Sequence, residues 1–432
     1  MGSTSSKVRT KAASTLLVAV VSACGGEPAS LEDRLGAQPG FWFEARASRP
    51  DAETMRTLAE SGYTSGYVPA REEFGAAIHV PEDVQDGLNL YSSGHAPEAY
   101  LTTLEGELLH RWTLPYEEVE GAPPMEHSTQ QAWRRVRLAG DGSLLAIYEG
   151  LALVRVDRNS SLEWFAPGAH HDLDIDPEGR VHVLTRKHSL QPRVHPDRPV
   201  LEDFVAVLDG GGRPLQEVSV YEALLDSPWA SELLDAAPDG IAAREGDVLH
   251  TNSIQWLDGS QEELHPGFAR GNVLVCFRDI DAVAAIDLGR RRVVWFARGD
   301  WRAPHDPTLL SDGGLLIFDN MGHQGYSRAL EVSSSRVNEV RWTFGGEPPE
   351  SLFSVFCGAA SRLANGNTLI TESCNGRALE VTSSGAVVWS FLSPHRAGDS
   401  GELVAALFEV ERIPRSEAAG WLALPGIQQD QR

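Results

Sequence analysis

Basic residues are scarce in this sequence, where 37 Lys and Arg stand against 61 Asp and Glu for a net charge of −24. Such a chain repels phosphate backbones and anionic headgroups unless a local basic patch overrides the mean field, which argues against nucleic acid as a partner. An anionic substrate would need a locally positive pocket inside this acidic shell, so a buried cluster of Arg and His carries information. Cysteine is also sparse, with Cys24, Cys276, Cys357 and Cys374 the four present. None falls in a CxxC or Cys/His spacing, so no zinc, and no other metal or cofactor, is implied. Long apolar runs are missing as well: the stretch from Ala12 to Val21 is too short to span a bilayer.

That stretch has another use. Lys7, Arg9 and Lys11 form a basic segment ahead of it, and Val21-Ser22-Ala23-Cys24 follows as a small-residue cleavage site ending in cysteine. One reading is a bacterial lipobox, with residues 1–23 removed as a lipoprotein signal peptide and Cys24 left as the diacylated N-terminus. The other is an ordinary signal peptide in which Cys24 is incidental. Met1-Gly2 with Ser6 also fits a myristoylation pattern, but the export signal overlies it. Either reading places the chain in the periplasm or cell envelope, and Gly25 lacks the aspartate of inner-membrane retention, pointing to the outer membrane. An exported chain permits a Cys357–Cys374 disulfide, with one thiol left over.

A unit of apolar strand, polar turn and apolar strand ending in an aromatic recurs along the chain. It appears at Ala99–Trp112, Leu151–Phe165, Phe204–Val218, Ala282–Phe296, Ala329–Phe344 and Ala378–Phe391, which makes six copies. Between the copies lie glycine-led alternating strands that begin at Gly140, Pro177, Arg270, Asp312 and Asn365. Each repeat thus offers about four strands, at the roughly fifty-residue spacing of propeller blades. The pattern predicts an all-β six-bladed β-propeller over residues 86–413, preceded by an N-terminal region and linker at 24–85 and followed by a tail at 414–432. Helices are predicted at Asp51–Ser61 and, as an insertion, at Tyr221–Leu234. A non-closed β-sandwich with similar hairpins is the alternative.

In a propeller the innermost strands line a central channel, so polar residues at their starts converge from distant parts of the chain. Four segments place His or Arg there: His170-His171-Asp172-Leu173, His250-Thr251-Asn252-Ser253, Phe277-Arg278 and Pro304-His305-Asp306-Pro307. Each has a plainer reading. His170 or His171 can be hydrogen-bonded in a blade corner, and His250 to Ser253 can be a polar strand entry. Asp306 either orients His305 or serves the turn before Pro307. By alternation Arg278 faces the side that Cys276 faces, while Asn320 and His323 read as turn-shaping residues.

In this order, these segments resemble the bacterial arylsulfotransferases. The likeness continues through Phe318-Asp319-Asn320-Met321-Gly322, Tyr326-Ser327-Arg328 and Ala364 to Val381, and covers most of the chain from about Leu88 to Phe391. It implies a six-bladed propeller that moves a sulfuryl group from one phenol to another without a nucleotide donor. It also implies His305 as the nucleophile that becomes a sulfohistidine, with His171, His250 and Arg278 around the sulfate; His170 and Asn252, on the same segments, are further candidate substrate contacts. The small-molecule partners are then aryl sulfates and phenols, and the membrane contact is the lipid on Cys24. Phe277 stands where the family pattern has a small residue, and Gln261-Glu262-Glu263 make the following loop acidic, which leaves acceptor preference open.

The chemistry suits the residues independently. Sulfuryl transfer, like phosphoryl transfer, spreads negative charge over three equatorial oxygens, so catalysis reduces to alignment and fixed positive donors. A neutral imidazole is a competent nucleophile near neutral pH, and a second imidazole handles the phenol's proton. Two other functions stay in view: a non-catalytic lipid-anchored binding propeller and a quinone-dependent dehydrogenase. The dehydrogenase lacks support from tryptophan-docking repeats or a calcium cluster.

Overall fold

Alternating apolar and polar residues punctuated by Asp/Asn-Gly turns fold this chain into a series of antiparallel meanders. The computed structural model describes residues 66–125, 128–243, 246–323, 326–345, 351–398 and 400–423. Cys24, the export segment and the expected helix at Asp51–Ser61 lie outside the described residues.

Six sheets share one order, in which the strands run consecutively from a first to a fourth. Sheet 1 takes Leu407–Ile413 as its first strand, followed by Leu88–Ser93, Glu98–Thr102 and Leu108–Thr113. Sheet 2 holds Trp133–Leu138, Leu144–Tyr148, Ala152–Val156 and Leu162–Pro167. In sheet 3 the strands are Ala169–Ile175, Val181–Leu190, Pro199–Leu208 and Pro214–Ser219. Sheet 4 comprises Thr251–Trp256, Val273–Phe277, Ala282–Asp287 and Arg292–Arg298, and sheet 5 His305–Leu309, Gly314–His323, Tyr326–Ser333 and Arg336–Phe344. Sheet 6 runs through Ala359–Arg362, Thr368–Glu372, Arg377–Val381 and Val387–Leu392, with Gly75–His79 added at its outer edge. The six repeated hairpins of the sequence are the third and fourth strands of these sheets, and the five glycine-led strands are second strands.

The turns between first and second strands follow from their residues. Asp176 Oδ1 accepts the backbone N–H groups of Glu178 and Arg180 at 3.0 and 2.9 Å, and Gly179 takes φ +76° without a Cβ penalty. The core lies between sheets rather than within one. Leu274, Val283 and Ala285 of sheet 4 pack on Leu315, Ile317 and Leu330 of sheet 5, for example. Similar clusters join sheets 1 and 2, 2 and 3, 3 and 4, and 5 and 6. Tyr91 and Tyr100 of sheet 1 meet Leu369, Ala378 and Trp389 of sheet 6 in the same way. The first strands also touch one another in this cyclic order.

Sheet 1 is completed by the far end of the chain, since Leu407–Ile413 pairs antiparallel with Leu88–Ser93. Glu380, fully buried, ties these distant segments together: it accepts from Gln85 N at 2.7 Å, Asn367 Nδ2 at 2.8 Å and Arg412 Nη1 at 3.0 Å. A small sheet of Gly66–Pro69, Leu403–Ala405 and Arg396–Ala397 lies beside them.

The insertion between sheets 3 and 4 differs from expectation. Two helices stand where one was predicted, α1 at Val220–Leu225 and α2 at Ala230–Ala243. Ser219 caps α1 by accepting from Glu222 N, and Pro228, which lacks an N–H and disfavours helical backbone at Ser227, breaks the run before α2. A further short helix, α3 at Arg415–Ala419, lies in the segment expected as a tail. Cys276, Cys357 and Cys374 are buried free thiols.

Candidate functional site

The first strands begin irregularly, and the irregularities carry the chemistry. In sheet 3, Ala169 pairs with Thr185 and Leu173 with Val183, so His170, His171 and Asp172 bulge opposite Leu184 alone. Equivalent register breaks leave Arg134 extra in sheet 2, Asn252 in sheet 4 and Phe408 in sheet 1. In sheet 5 the break sets Asp306 and Pro307 opposite Ile317, directly after His305. Bulges re-aim side chains that a regular strand would alternate between faces. His171, His250 and Asp306 take φ of +55°, +51° and +50°, left-handed backbone that non-glycine residues adopt at a cost of about 1–2 kcal/mol and that clusters at functional sites.

His305 is buried and its hydrogen bonds determine its tautomer. Asn320 Nδ2 donates to the carbonyls of Ser354 and Cys357 at 2.7 and 2.6 Å, which fixes Oδ1 as the atom 2.8 Å from His305 Nδ1. The Ala303 carbonyl lies 3.0 Å from the same nitrogen. Two acceptors on Nδ1 require that it carry the proton, so Nε2 carries the lone pair. That Nε2 is buried and has no hydrogen-bond partner among the described residues. Burial pushes the imidazole well below its ordinary pKa, and the charges of Arg278 and Arg134 push the same way.

His250 is held by Asp247, whose Oδ2 accepts from Nδ1 at 2.5 Å while Oδ1 accepts the His250 backbone N–H at 3.0 Å. Burial would raise the Asp247 carboxyl, but His250, Arg278 and Arg186 together bring it below the usual range. The His171 ring stands edge-on to His250 with centroids 4.7 Å apart. Arg278 opens a short turn whose backbone N–H groups, at Arg278 and Asp279, bond the His250 and Leu249 carbonyls, and its Nε donates to Asp279 Oδ1 at 2.7 Å. Cys276 Sγ and Asn252 Nδ2 both donate to the Pro304 carbonyl, at 3.2 and 2.8 Å, which draws the His250 and His305 segments together. The four expected residues His171, His250, Arg278 and His305 therefore gather in one buried region.

The remaining expectations resolve differently. His170 lies behind His171, with Nδ1 atoms 2.8 Å apart and its Nε2 3.4 Å from Asp203 Oδ1. The Asn252 amide nitrogen is committed to Pro304. Asn320, expected to shape a turn, is a buried residue of a long strand and the partner of His305. Asp306 does not orient His305; it meets Arg135 Nη2 at 3.3 Å.

Several participants carried no motif. Glu149 accepts the His171 backbone N–H at 2.9 Å, and its Oε1 lies 3.2 Å from His171 Nδ1 and 3.4 Å from Arg186. Asp203 accepts Thr251 N at 3.0 Å, and burial together with the charge of Asp247 pushes its carboxyl up to about 7. The signals available were the D-x-x-H spacing of Asp247 and His250, and three arginines, Arg134, Arg135 and Arg137, in one strand of an acidic chain. Below the histidines Arg135 holds Asp172 at 2.9 Å as well as Asp306 and Glu409, and Arg137 holds Glu409. Burial raises Asp306 to about 7; at Glu409 the charges of Arg135 and Arg137 outweigh burial and bring the carboxyl down to about 2. Among the described residues Glu149, His170 and His171 have the spacing to hold a metal ion, their ligand atoms lying within 4.8 Å of one another. Arg186 already answers the Glu149 charge there.

Among curated proteins none matches the chain. Three solved structures align with it over most of their length. A protein of unknown function from Bacteroides caccae is 13% identical, with a TM-score of 0.49, covering 76% of this chain and 98% of its own. A streptogramin B lyase is 10% identical, with a TM-score of 0.43 and coverages of 81% and 97%. A catalytically inactive virginiamycin B lyase from Staphylococcus aureus, with quinupristin, is 11% identical, with a TM-score of 0.40 and coverages of 74% and 88%. A family model described as arylsulfotransferase (ASST) matches residues 158–394, more than half of the 432 residues, and the chain belongs to the arylsulfotransferase family.

Proposed function

We propose that this protein is a nucleotide-independent arylsulfotransferase that carries the sulfuryl group on His305 between an aryl sulfate and a phenol. The observation that supports this most is a buried imidazole whose Nδ1 proton is held by Asn320 and Ala303, leaving an Nε2 lone pair with no partner among the described residues. In the first step Nε2 attacks sulfur, the N–S bond forms, and the S–O(aryl) bond breaks with its electron pair on the departing phenolate. His250, as imidazolium, gives that oxygen a proton. In the second step His250 Nε2 takes the proton of the acceptor phenol, the phenolate oxygen attacks sulfur, and the N–S electron pair returns to His305. Asp247 orients the His250 ring and answers the charge it gains. Arg278 binds sulfuryl oxygens, and the His171 edge closes the pocket beside His250.

The six sheets are, in this reading, blades of a closed six-bladed propeller over residues 86–413. The sheet 6 to sheet 1 packing and the cyclic contacts of the first strands support closure. Export and a lipid at Cys24 belong to the same proposal, with the enzyme working in the periplasm or cell envelope; loss of lipid labelling in Cys24→Ser tests it. The alternative of a non-catalytic binding propeller is disfavoured by the gathering of His171, His250, Arg278 and His305.

The test is direct. Purified protein is incubated with 4-nitrophenyl sulfate and a second phenol, and formation of the new aryl sulfate is followed by mass spectrometry. Transfer that disappears in His305→Ala is expected; full transfer in that variant, or none in the wild type, overturns the reading.

A further inference from the structure

We infer that Arg134 is a second guanidinium of the sulfuryl pocket, reaching the group on His305 from the side opposite Arg278. The inference rests on the sulfuryl-transfer reading above and adds a residue to it. Three geometric facts support it. Arg134 is the extra residue of the sheet 2 bulge, the position that in sheets 3, 4 and 5 carries His170 to Asp172, Asn252 and Asp306. It is 5% exposed, and its guanidinium carbon stands 4.8 Å from the ring centroid of Phe408, the bulged residue of sheet 1, so its plane has a fixed platform. Finally, the residue after the sheet 2 bulge meets the bulge of sheet 5: Arg135 Nη2 reaches Asp306 Oδ1 at 3.3 Å although sheets 2 and 5 are not neighbours in the cyclic order. Arg134, next to Arg135, therefore stands on the strand that reaches across to the residue following His305.

The charge distribution agrees with this placement. Arg134 and Arg278 are the cations that bear on the His305 ring, and Arg134 bears on His171 as well. His170, His171 and His305 are all driven toward the neutral form, chiefly by burial, and neutral imidazoles cannot balance a bound sulfate ester. Guanidinium charge, which does not titrate away, does so alongside the His250 imidazolium of the first step. Arg278 comes to the pocket with its Nε held by Asp279 and so faces the sulfuryl group from one side. Charge in the transition state is shared among three equatorial oxygens, and donors on a single side leave part of it unanswered.

The experiment has two readouts, calorimetric binding of inorganic sulfate and turnover of 4-nitrophenyl sulfate with a phenol acceptor. Arg134→Gln is expected to weaken sulfate binding about 10- to 100-fold and to lower kcat/KM by about 100- to 1,000-fold. Arg134→Lys, which keeps the charge but loses the planar fork, is expected to recover part of both. A folded Arg134→Gln that binds sulfate and turns over donor as the wild type does overturns the inference and leaves the sulfotransferase reading standing. If the wild type shows no turnover yet sulfate binding still falls in Arg134→Gln, the pocket stands and the transfer reading falls. Should Arg134→Gln not fold, Arg134→Lys decides: sulfate binding weakened about tenfold supports Arg134 in the pocket, and unchanged binding overturns it.

Discussion

Asp247→Asn tests the acid–base part of the mechanism, because the structure dictates what the amide must do. Asp247 receives two N–H groups, the His250 backbone N–H on Oδ1 and the imidazole Nδ1–H on Oδ2. An asparagine has one oxygen to offer. The backbone N–H cannot change its role, so the amide oxygen faces it and the NH2 group faces Nδ1. The imidazole then shifts its proton to Nε2, turning the lone pair toward Asp247 and away from the pocket. A base that contributes about 100- to 10,000-fold is lost with the side-chain volume unchanged, equivalent to about 3–5 kcal/mol at about 1.4 kcal/mol per decade. The assay is kcat/KM for transfer from 4-nitrophenyl sulfate to a series of phenols of increasing pKa. The loss is expected to be largest for the least acidic acceptors, which depend most on a base. A folded Asp247→Asn within threefold of wild type across the series would refute the role given to His250.

Other outcomes follow from the same groups. Because burial, with Arg278 and Arg134, holds His305 well below its ordinary pKa, its sulfation at pH 5.5 is expected to stay within about twofold of that at pH 7.5; an ordinary imidazole would be about 90% protonated and lose about tenfold. Stability has a matching signature. Below about pH 6.5 the unfolded chain binds protons that His170, His171 and His305 refuse when folded, each withdrawing up to about 1.4 kcal/mol per pH unit. Asp203 and Asp306, raised to about 7 chiefly by burial, and Asp319, raised for the same reason, bind protons early when folded and so oppose this loss from about pH 7 down to about 4. Melting temperature is therefore expected to change little between pH 7 and about 4 and to fall steeply below, where deionising Glu409 adds to the loss; a steady decline from about pH 6.5 would contradict it. Glu380→Ala leaves Arg412 buried without its carboxylate and is expected to cost about 3–5 kcal/mol in urea unfolding, against less than about 1 for a surface pair.

Much of the fold could be read from residues because third and fourth strands are regular. Hairpins such as Ala282–Phe296 keep strict alternation and end in an aromatic, and their turns use side-chain chemistry that operates within a few residues. The first strands were harder, since at His170 to Asp172, Asn252 and Asp306 the bulges destroy the alternation that marks a strand. Those irregular places are where the site is built, so motif order revealed them better than periodicity did. Leu407–Ile413 gave no local sign of its place because its partner, Leu88–Ser93, lies at the other end of the chain. Asn320 looked like a turn residue because Asp-Asn-Met-Gly reads as one; its task depends on Ser354 and Cys357 carbonyls that only the packed chain supplies. Asp247, Asp203 and Glu149 likewise acquire their roles through burial and pairing across sheets. At Tyr221–Leu234 the helical spacing is real, but Pro228 divides it into two helices.

The most direct measurement of the central claim is the modification state of His305 after exposure to donor alone. The protein is mixed with 4-nitrophenyl sulfate without acceptor, digested under mildly alkaline conditions, and the peptides are mapped by tandem mass spectrometry. A sulfuryl group on His305 that vanishes when a phenol is added is the expected result. A sulfuryl group found on another residue, or none on His305 while transfer proceeds, would contradict the account.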